Sequence, residues 1–190
     1  FANRLSEAHG YQSVYTVPRS FTLGLDTNTC NQMAPLVSRN HQANGYRLPT
    51  EAEWEWSARE MGYYTSRTSS KQVLRESHRF SGSSTASKVA WYEATSKRTT
   101  HSVCGKDKNL MDLCDMSGNV FEWVEDWYAS DTTSFSNTDP VGLTFGESKV
   151  LKGGSYDSPK NVIRNAFRYN TVPGYRDGQL GLRLVRTLDN

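Results

Sequence analysis

The chain has 190 residues, with 22 Lys and Arg against 20 Asp and Glu, so its formal net charge is +2. A balance this close to neutrality gives no electrostatic reason to expect nucleic acid or an anionic membrane as a partner. No apolar run approaches the length of a membrane span, so we expect no transmembrane segment. The three cysteines, Cys30, Cys104 and Cys114, include no CxxC pair, which argues against a zinc site and against a disulfide framework. One disulfide and three free thiols both remain open.

Two segments have the signals of helices. The first covers residue 1 to about residue 9, and the second begins at residues 50–53, where Thr-Glu-Ala-Glu forms a capping box. Gly62 is a stop signal for this second helix. Its apolar residues recur at helical spacing on one face: Trp54, Ala58 and Met61. We therefore expect Trp54 to lie in the core rather than to bind a ligand.

The remainder is rich in turns, with few strong periodic patterns. Residues 64–88 are polar and predict a long surface loop, while residues 89–92 predict a short buried element. Three strands are predicted in the last third of the chain, at 149–152, 165–169 and 180–185. Few helices, short strands and long connections indicate an α+β fold.

Four segments, in order along the chain, resemble the formylglycine-generating-enzyme (sulfatase-modifying-factor) family. These segments are residues 45–55 (GYRLPTEAEWE), 115–123 (DMSGNVFEW), 151–156 (LKGGSY) and 181–186 (GLRLVR). The resemblance implies a C-type-lectin-like fold in which small antiparallel sheets and two helices support long loops. It also implies that residues 1–190 form a single domain of this type, whose N-terminal strands would lie upstream of Phe1.

The second of these segments is a candidate metal site. Asp115, Gly118, Val120 and Glu122 are spaced so that two carboxylates and two backbone carbonyls can converge on one hard cation. The resemblance implies that this cation is calcium and that its role is structural. The alternative is a tight turn with Asp115 as a cap and Glu122 in an ion pair.

The catalytic centre of the family has no counterpart here. The family's enzymes hold copper with two cysteines that follow a Gly-Gly-Ser-Tyr motif, and the matching positions in this chain are Ser158 and Ile163. A serine hydroxyl is a poor ligand for copper(I), and isoleucine offers no ligand atom. We therefore expect no bound copper and no enzymatic activity. The alternative is a metal-dependent oxidoreductase of this family with atypical ligands.

The segment after the Gly-Gly-Ser-Tyr motif mixes aromatic and adaptable polar residues, which protein-binding surfaces favour. It resembles the diversified region of the variable proteins of diversity-generating retroelements, which share this fold. The expected ligand-contacting residues are Tyr156, Asp157, Ser158, Asn161, Asn165, Tyr169, Tyr175, Asp177 and Gln179. The resemblance implies a surface-displayed, extracellular or virion-borne domain that binds a protein or another macromolecule on a cell surface. Two plainer alternatives are a polar loop without a ligand and a structural module of a larger assembly.

Overall fold

The computed structural model describes residues 1–18, 26–60, 78–133, 140 and 142–188. Its helices are α1 (Ala2–Ala8), α2 (Thr27–Met33), a 3-10 turn (Ala34–Leu36), α3 (Glu51–Ala58) and the single-turn α4 (Ala86–Val89). Its strands are β1 (Tyr15–Thr16), β2 (Ser38–Arg39), β3 (Tyr46–Arg47), β4 (Phe121–Trp127), β5 (Lys149–Lys152), β6 (Tyr169–Thr171), β7 (Leu180–Leu182) and β8 (Val185–Arg186).

Helix α3 begins as its sequence predicts. The hydroxyl of Thr50 accepts a hydrogen bond from the backbone N–H of Glu53 at 3.2 Å, and the Glu53 carboxylate accepts from the N–H of Thr50 at 2.8 Å. Both partners of the capping box are therefore formed. The helix buries Trp54 and Ala58, which confirms the core position expected for the tryptophan.

The described part of the chain contains more helices than the two that the sequence predicts. The sequence does not predict helix α2, because its residues, TNTCNQM, have weak helix propensity and no apolar stripe. What starts it is Asp26, whose carboxylate accepts from the N–H of Thr29 at 3.0 Å. The short α4 spans the end of the expected loop, 64–88, and the first residue of the expected buried element, 89–92. Residues 64–77 of that loop, and Met61 and Gly62 of the predicted second helix, lie outside the described residues.

Three small sheets are present in the described residues. Strands β1 and β2 form one antiparallel pair, and β3 and β8 form another. The largest sheet has the order β6-β5-β4-β7, and here β7 runs parallel to β4 rather than antiparallel, contrary to expectation. The predicted strand at 165–169 lies later, at β6, and the predicted strand at 180–185 is divided between β7 and β8.

Two clusters of buried side chains form the core. The first, against the sheet, consists of Trp54, Ala58, Met116, Val124 and Val150. The second consists of Phe80, Ala86, Val89, Ala90 and Ile163. Strand β4 contributes to the first cluster. The candidate metal-binding residues lie in the loop before β4 and at its start, and the candidate binding segment follows β5. No helix within the described ranges has the length and apolar character that crossing a membrane would need.

Candidate binding surface and metal-binding loop

The loop that follows β5 is held by buried hydrogen bonds. The Oγ of Ser158 accepts from the N–H of Ser155 at 2.9 Å, and the Ser155 hydroxyl donates to Oε1 of Gln179 at 2.5 Å. The N–H of Tyr156 donates to the carbonyl of Asn119 at 2.8 Å. These contacts join both ends of the 156–179 segment to the turn that precedes β4. The segment therefore starts from a rigid base.

The two positions that match the family's copper cysteines are filled by structural side chains. Ser158 is buried and its hydroxyl lies 3.0 Å from that of Ser155. Ile163 is fully buried among the side chains of the second core cluster. A serine bound to its neighbour and an isoleucine in the core provide no pair of soft ligands that could hold copper.

Four of the expected ligand-contacting residues are exposed. Tyr169 and Tyr175 are 50% and 47% exposed, and Asn161 and Asp177 are also exposed. Large exposed tyrosines are uncommon without a partner and are favoured at protein interfaces, because they offer rigid amphipathic area. This set, Asn161, Tyr169, Tyr175 and Asp177, is called the exposed set below.

Tyr156, Asp157 and Gln179 are half-buried at the border of the exposed set. The carboxylate of Asp157 accepts from Nη2 of Arg98 at 3.0 Å. Arg98 lies in a separate loop, and its side chain is mostly exposed. The sequence did not indicate Arg98, because nothing local to it predicts the contact. It extends the candidate surface beyond the 156–179 segment.

Two of the expected ligand-contacting residues do not belong to the surface. Ser158 is only 5% exposed and Asn165 only 2%. The Asn165 amide Nδ2 donates to the carbonyl of His78 at 3.0 Å and lies 3.4 Å from that of Ala58. These side chains hold the loop against the core, so we remove them from the contact set.

In the candidate calcium loop, one oxygen of Asp115 accepts no hydrogen bond from the described residues, whereas both oxygens of Glu122 accept hydrogen bonds. Asp115 is buried, its Oδ2 accepts from the N–H of Cys104 at 2.6 Å, and its Oδ1 has no hydrogen-bond partner among the described residues. The Glu122 carboxylate accepts at Oε2 from the indole Nε1 of Trp54 at 2.7 Å. Arg183 donates to both of its oxygens, at 2.7 and 2.9 Å.

The two carboxylates of the candidate calcium loop therefore differ in what they leave available to a cation. Arg183 already supplies the positive charge that a cation would bring to Glu122, and Trp54 takes a further lone pair of the same carboxylate. Gly118 has a φ of 77°, as expected for a tight turn. Of the two carboxylates, that of Asp115 alone has an oxygen without a hydrogen-bond partner among the described residues. Calcium binding stays a prediction that only a measurement can decide.

A cavity with a volume of about 730 Å³ is lined by none of the four residues of the exposed set, although Pro173, close to Tyr175 in sequence, lines it. Trp123, Trp127 and Lys149 are among the residues that line it. The Lys149 ammonium donates to the carbonyl of Glu125 and lies 3.8 Å from the centre of the Trp127 ring. Burial lowers the pKa of Lys149 to about 8, although the carboxylates of Glu125 and Asp126 favour its charged form. The sequence did not indicate this environment.

Comparison with known proteins supports the same architecture. A family model described as the sulfatase-modifying factor enzyme 1-like domain matches residues 1–188. The structure of Treponema denticola variable protein 1 superimposes with a TM-score of 0.79 and 31% identity, over 96% of this chain and 65% of that chain. The expected α+β fold, of the C-type-lectin-like and formylglycine-generating-enzyme type, is thereby confirmed.

The shared region is a different fraction of the length of each of two curated relatives. The formylglycine-generating enzyme of Streptomyces coelicolor is 34% identical over 151 residues, which are 76% of this chain and 48% of the enzyme. The serine/threonine-protein kinase Pkn1 of Chlamydia trachomatis is 28% identical over 145 residues, which are 75% of this chain. The chain spans 21% of that kinase, so the shared region is a minor part of it.

Proposed function

Because the chain belongs to the sulfatase-modifying factor enzyme 1-like family, we propose that it is a non-catalytic member that binds a ligand through the exposed set and its border. The observation that carries this proposal is the state of Ser158 and Ile163. Where the family's enzymes place two copper-binding cysteines, this chain has a buried hydroxyl bonded to Ser155 and a core isoleucine. The fold is retained while the metal-binding side chains are absent from these positions.

The division between exposed and buried residues in the 156–179 segment supports a binding surface. The buried members, Ser158 and Asn165, hold the backbone. The exposed set projects from that backbone, and Arg98 and Asp157 add an exposed ion pair at its border. The hydrogen bonds of this framework do not involve the side chains of Asn161 and Tyr169, so both can change without removing those bonds. The Tyr169 ring also lies 5.3 Å from that of Phe121, so its replacement gives up that packing contact.

The ligand that suits this surface is a protein or another macromolecule. Tyr, Asn, Asp and Arg combine aromatic area with adaptable hydrogen bonding, which is the composition of antibody-like contact surfaces. The similarity to a variable protein supports a role like that of the variable proteins of diversity-generating retroelements. We infer a location where a cell-surface partner is accessible: a cell surface, the extracellular medium or a virion.

The experiment compares the wild type with a Tyr169→Ser, Tyr175→Ser double variant. Both proteins are immobilised and exposed to solubilised cell-surface proteins, and retained partners are identified by mass spectrometry. We expect a partner that the wild type retains and the double variant loses, with melting temperatures that agree within a few degrees. Equal retention by both proteins, or loss of binding together with loss of folding, would contradict the proposal.

The alternative is an oxidoreductase that uses atypical metal ligands near Ser158. Elemental analysis of the purified chain distinguishes the two functions, because an oxidoreductase of this kind needs a redox metal in near-stoichiometric amount. We expect no such copper or iron. Oxidation of a cysteine-containing peptide substrate by the purified chain would establish the alternative.

A further inference from the structure

A cluster of metal-ligating side chains lies at the start of the loop before β4. Cys104 and Cys114 form a disulfide there, and Asp115 follows directly. One ligand atom from each of these three residues lies within 4.8 Å of the other two. The two sulfurs lie this close because they are bonded, and reduction turns them into two separate ligand atoms beside Asp115, from residues ten apart in sequence.

Asp115 has an unusual environment for a carboxylate. It is 8% exposed, and its Oδ1 accepts no hydrogen bond from any residue that the structure describes. A buried carboxylate oxygen without a partner is costly, because the desolvation of its charge is not compensated. The bare oxygen therefore indicates a missing positive or hydrogen-bonding partner at this place.

The backbone orients these side chains towards one another. Cys104 and Asp115 have φ values of 60° and 56°, in the left-handed region that residues other than glycine rarely adopt. The N–H of Cys104 donates to Oδ2 of Asp115, so the two left-handed residues are joined directly. Strained backbone of this kind persists where the surrounding structure determines it, and it is frequent at ligand sites.

We propose that the chain binds one zinc ion at Cys104, Cys114 and Asp115 once the disulfide is reduced. A dithiol donates two electrons and two protons to the disulfide, becomes a disulfide itself, and leaves two thiols on this chain. Zinc then replaces the two thiol protons and takes a carboxylate oxygen of Asp115 as its third ligand. Cys104 is exposed, so a fourth position is open to water.

Ligand chemistry selects zinc rather than calcium for this cluster. Thiolates are soft ligands that bind zinc well, whereas calcium takes oxygen ligands almost without exception. The oxidised pair has no thiolate, so binding requires reduction. The site is thus a redox-dependent metal site, and it shares only Asp115 with the calcium prediction.

The test uses the full chain with Cys30→Ser, so that only the cluster can supply thiols. Oxidised protein and protein reduced with a phosphine are dialysed against zinc, and bound metal is measured by elemental mass spectrometry. We expect about one zinc per reduced chain and none per oxidised chain. Asp115→Asn should weaken binding at least tenfold, whereas the matched exposed variant Asp112→Asn should leave it unchanged.

Cobalt bound in place of zinc tests independently which side chains are the metal ligands. A reduced chain that binds cobalt through Cys104 and Cys114 shows thiolate-to-metal charge-transfer absorption, and Cys104→Ser should remove most of it. Circular dichroism identifies variants that fail to fold. Absence of zinc binding by the reduced chain, or equal zinc affinity of the Asp115→Asn variant and its parent, would overturn the proposal.

Discussion

Arg183 lies across the buried carboxylate of Glu122, with Nη2 2.7 Å from Oε1 and Nε 2.9 Å from Oε2. The same guanidinium donates from Nη2 to the carbonyl of Cys114 at 2.9 Å. One side chain therefore joins the segment after β7 to the central strand and to the loop that precedes it. This ion pair occupies the place where the sequence led us to expect calcium.

Loss of Arg183 should destabilise the fold. In Arg183→Met the Glu122 carboxylate would remain buried without its charge partner, which typically costs about 3–5 kcal/mol of unfolding free energy. Urea denaturation measures this. The matched control is Arg98→Met, which removes an exposed pair and should cost at most about 1 kcal/mol. Adding Glu122→Gln to Arg183→Met should restore part of the loss, and equal effects of the two arginine variants would contradict this view of Glu122.

Chelation decides the calcium question. Because Arg183 neutralises Glu122, we expect a chelator to leave the melting temperature unchanged within experimental error. A melting temperature that falls on chelation and recovers with calcium would instead establish the ion predicted from the sequence. In that case Asp115→Asn should abolish the calcium effect, because Asp115 has the only bare carboxylate oxygen of the set.

Asn165 and Asn161 should respond very differently to the same substitution. Asn165→Ala removes a buried donor to the carbonyl of His78 and leaves that acceptor unpaired, which should cost about 1–3 kcal/mol. Asn161→Ala alters an exposed side chain and should change the unfolding free energy by less than about 0.5 kcal/mol. Chemical denaturation of both variants is the measurement. Similar losses in both would show that the exposed set also supports the fold.

Lys149 should make stability depend on pH in the alkaline range. Burial lowers its pKa from 10.5 to about 8 in the folded chain. Below pH 8, Lys149 is protonated in both the folded and the unfolded chain. Above pH 8 it loses its proton in the folded chain but keeps it in the unfolded chain. The free energy of unfolding should therefore rise between pH 8 and 10, by on the order of 1–2 kcal/mol.

The rise in the free energy of unfolding should end near pH 10, because the ionisation of Tyr15 then lowers the stability of the folded chain. Burial raises the pKa of Tyr15 to about 12, so the unfolded chain loses that proton first and stability falls. Thermal melts from pH 7.5 to 9.5 measure the effect of Lys149. Lys149→Met should remove the rise, and Lys88→Met, at an exposed position, should retain it. A rise that persists in Lys149→Met would assign it to another group.

Local signals predicted part of the fold well. The capping box of α3 and the short apolar run of β5 depend on neighbouring residues, so a single sequence reveals them. Helix α2 and the parallel pairing of β7 with β4 depend on partners far along the chain. Gly174, for example, donates its N–H to Asn31 of α2 at 2.7 Å across 143 residues. Nothing near either residue signals that contact.

The same limit applies to the candidate site. Ser158 and Asn165 have the polarity of surface residues, and only their buried partners, Ser155, Ala58 and His78, show that they support the loop. Tyr169 and Tyr175 are exposed, as a ligand-contacting surface requires, but the sequence does not distinguish them from the half-buried Tyr156. Charge pairing across loops, as between Arg98 and Asp157, requires the tertiary structure.

The parallel strand β7 determines how freely the candidate surface can vary in length. Lys152 and Gly181 pair with Glu122 from opposite sides of β4, and between them the chain adds β6 to the far side of β5. The connection from β6 to β7 therefore joins the two edge strands of the sheet, and strand pairing holds both of its ends in place. For a flexible loop with fixed ends, doubling the length costs only about 0.6 kcal/mol of closure entropy. Insertions within the exposed residues 175–178, beyond the contact of Gly174 with α2, should thus be tolerated, which makes this fold a suitable acceptor for grafted peptides.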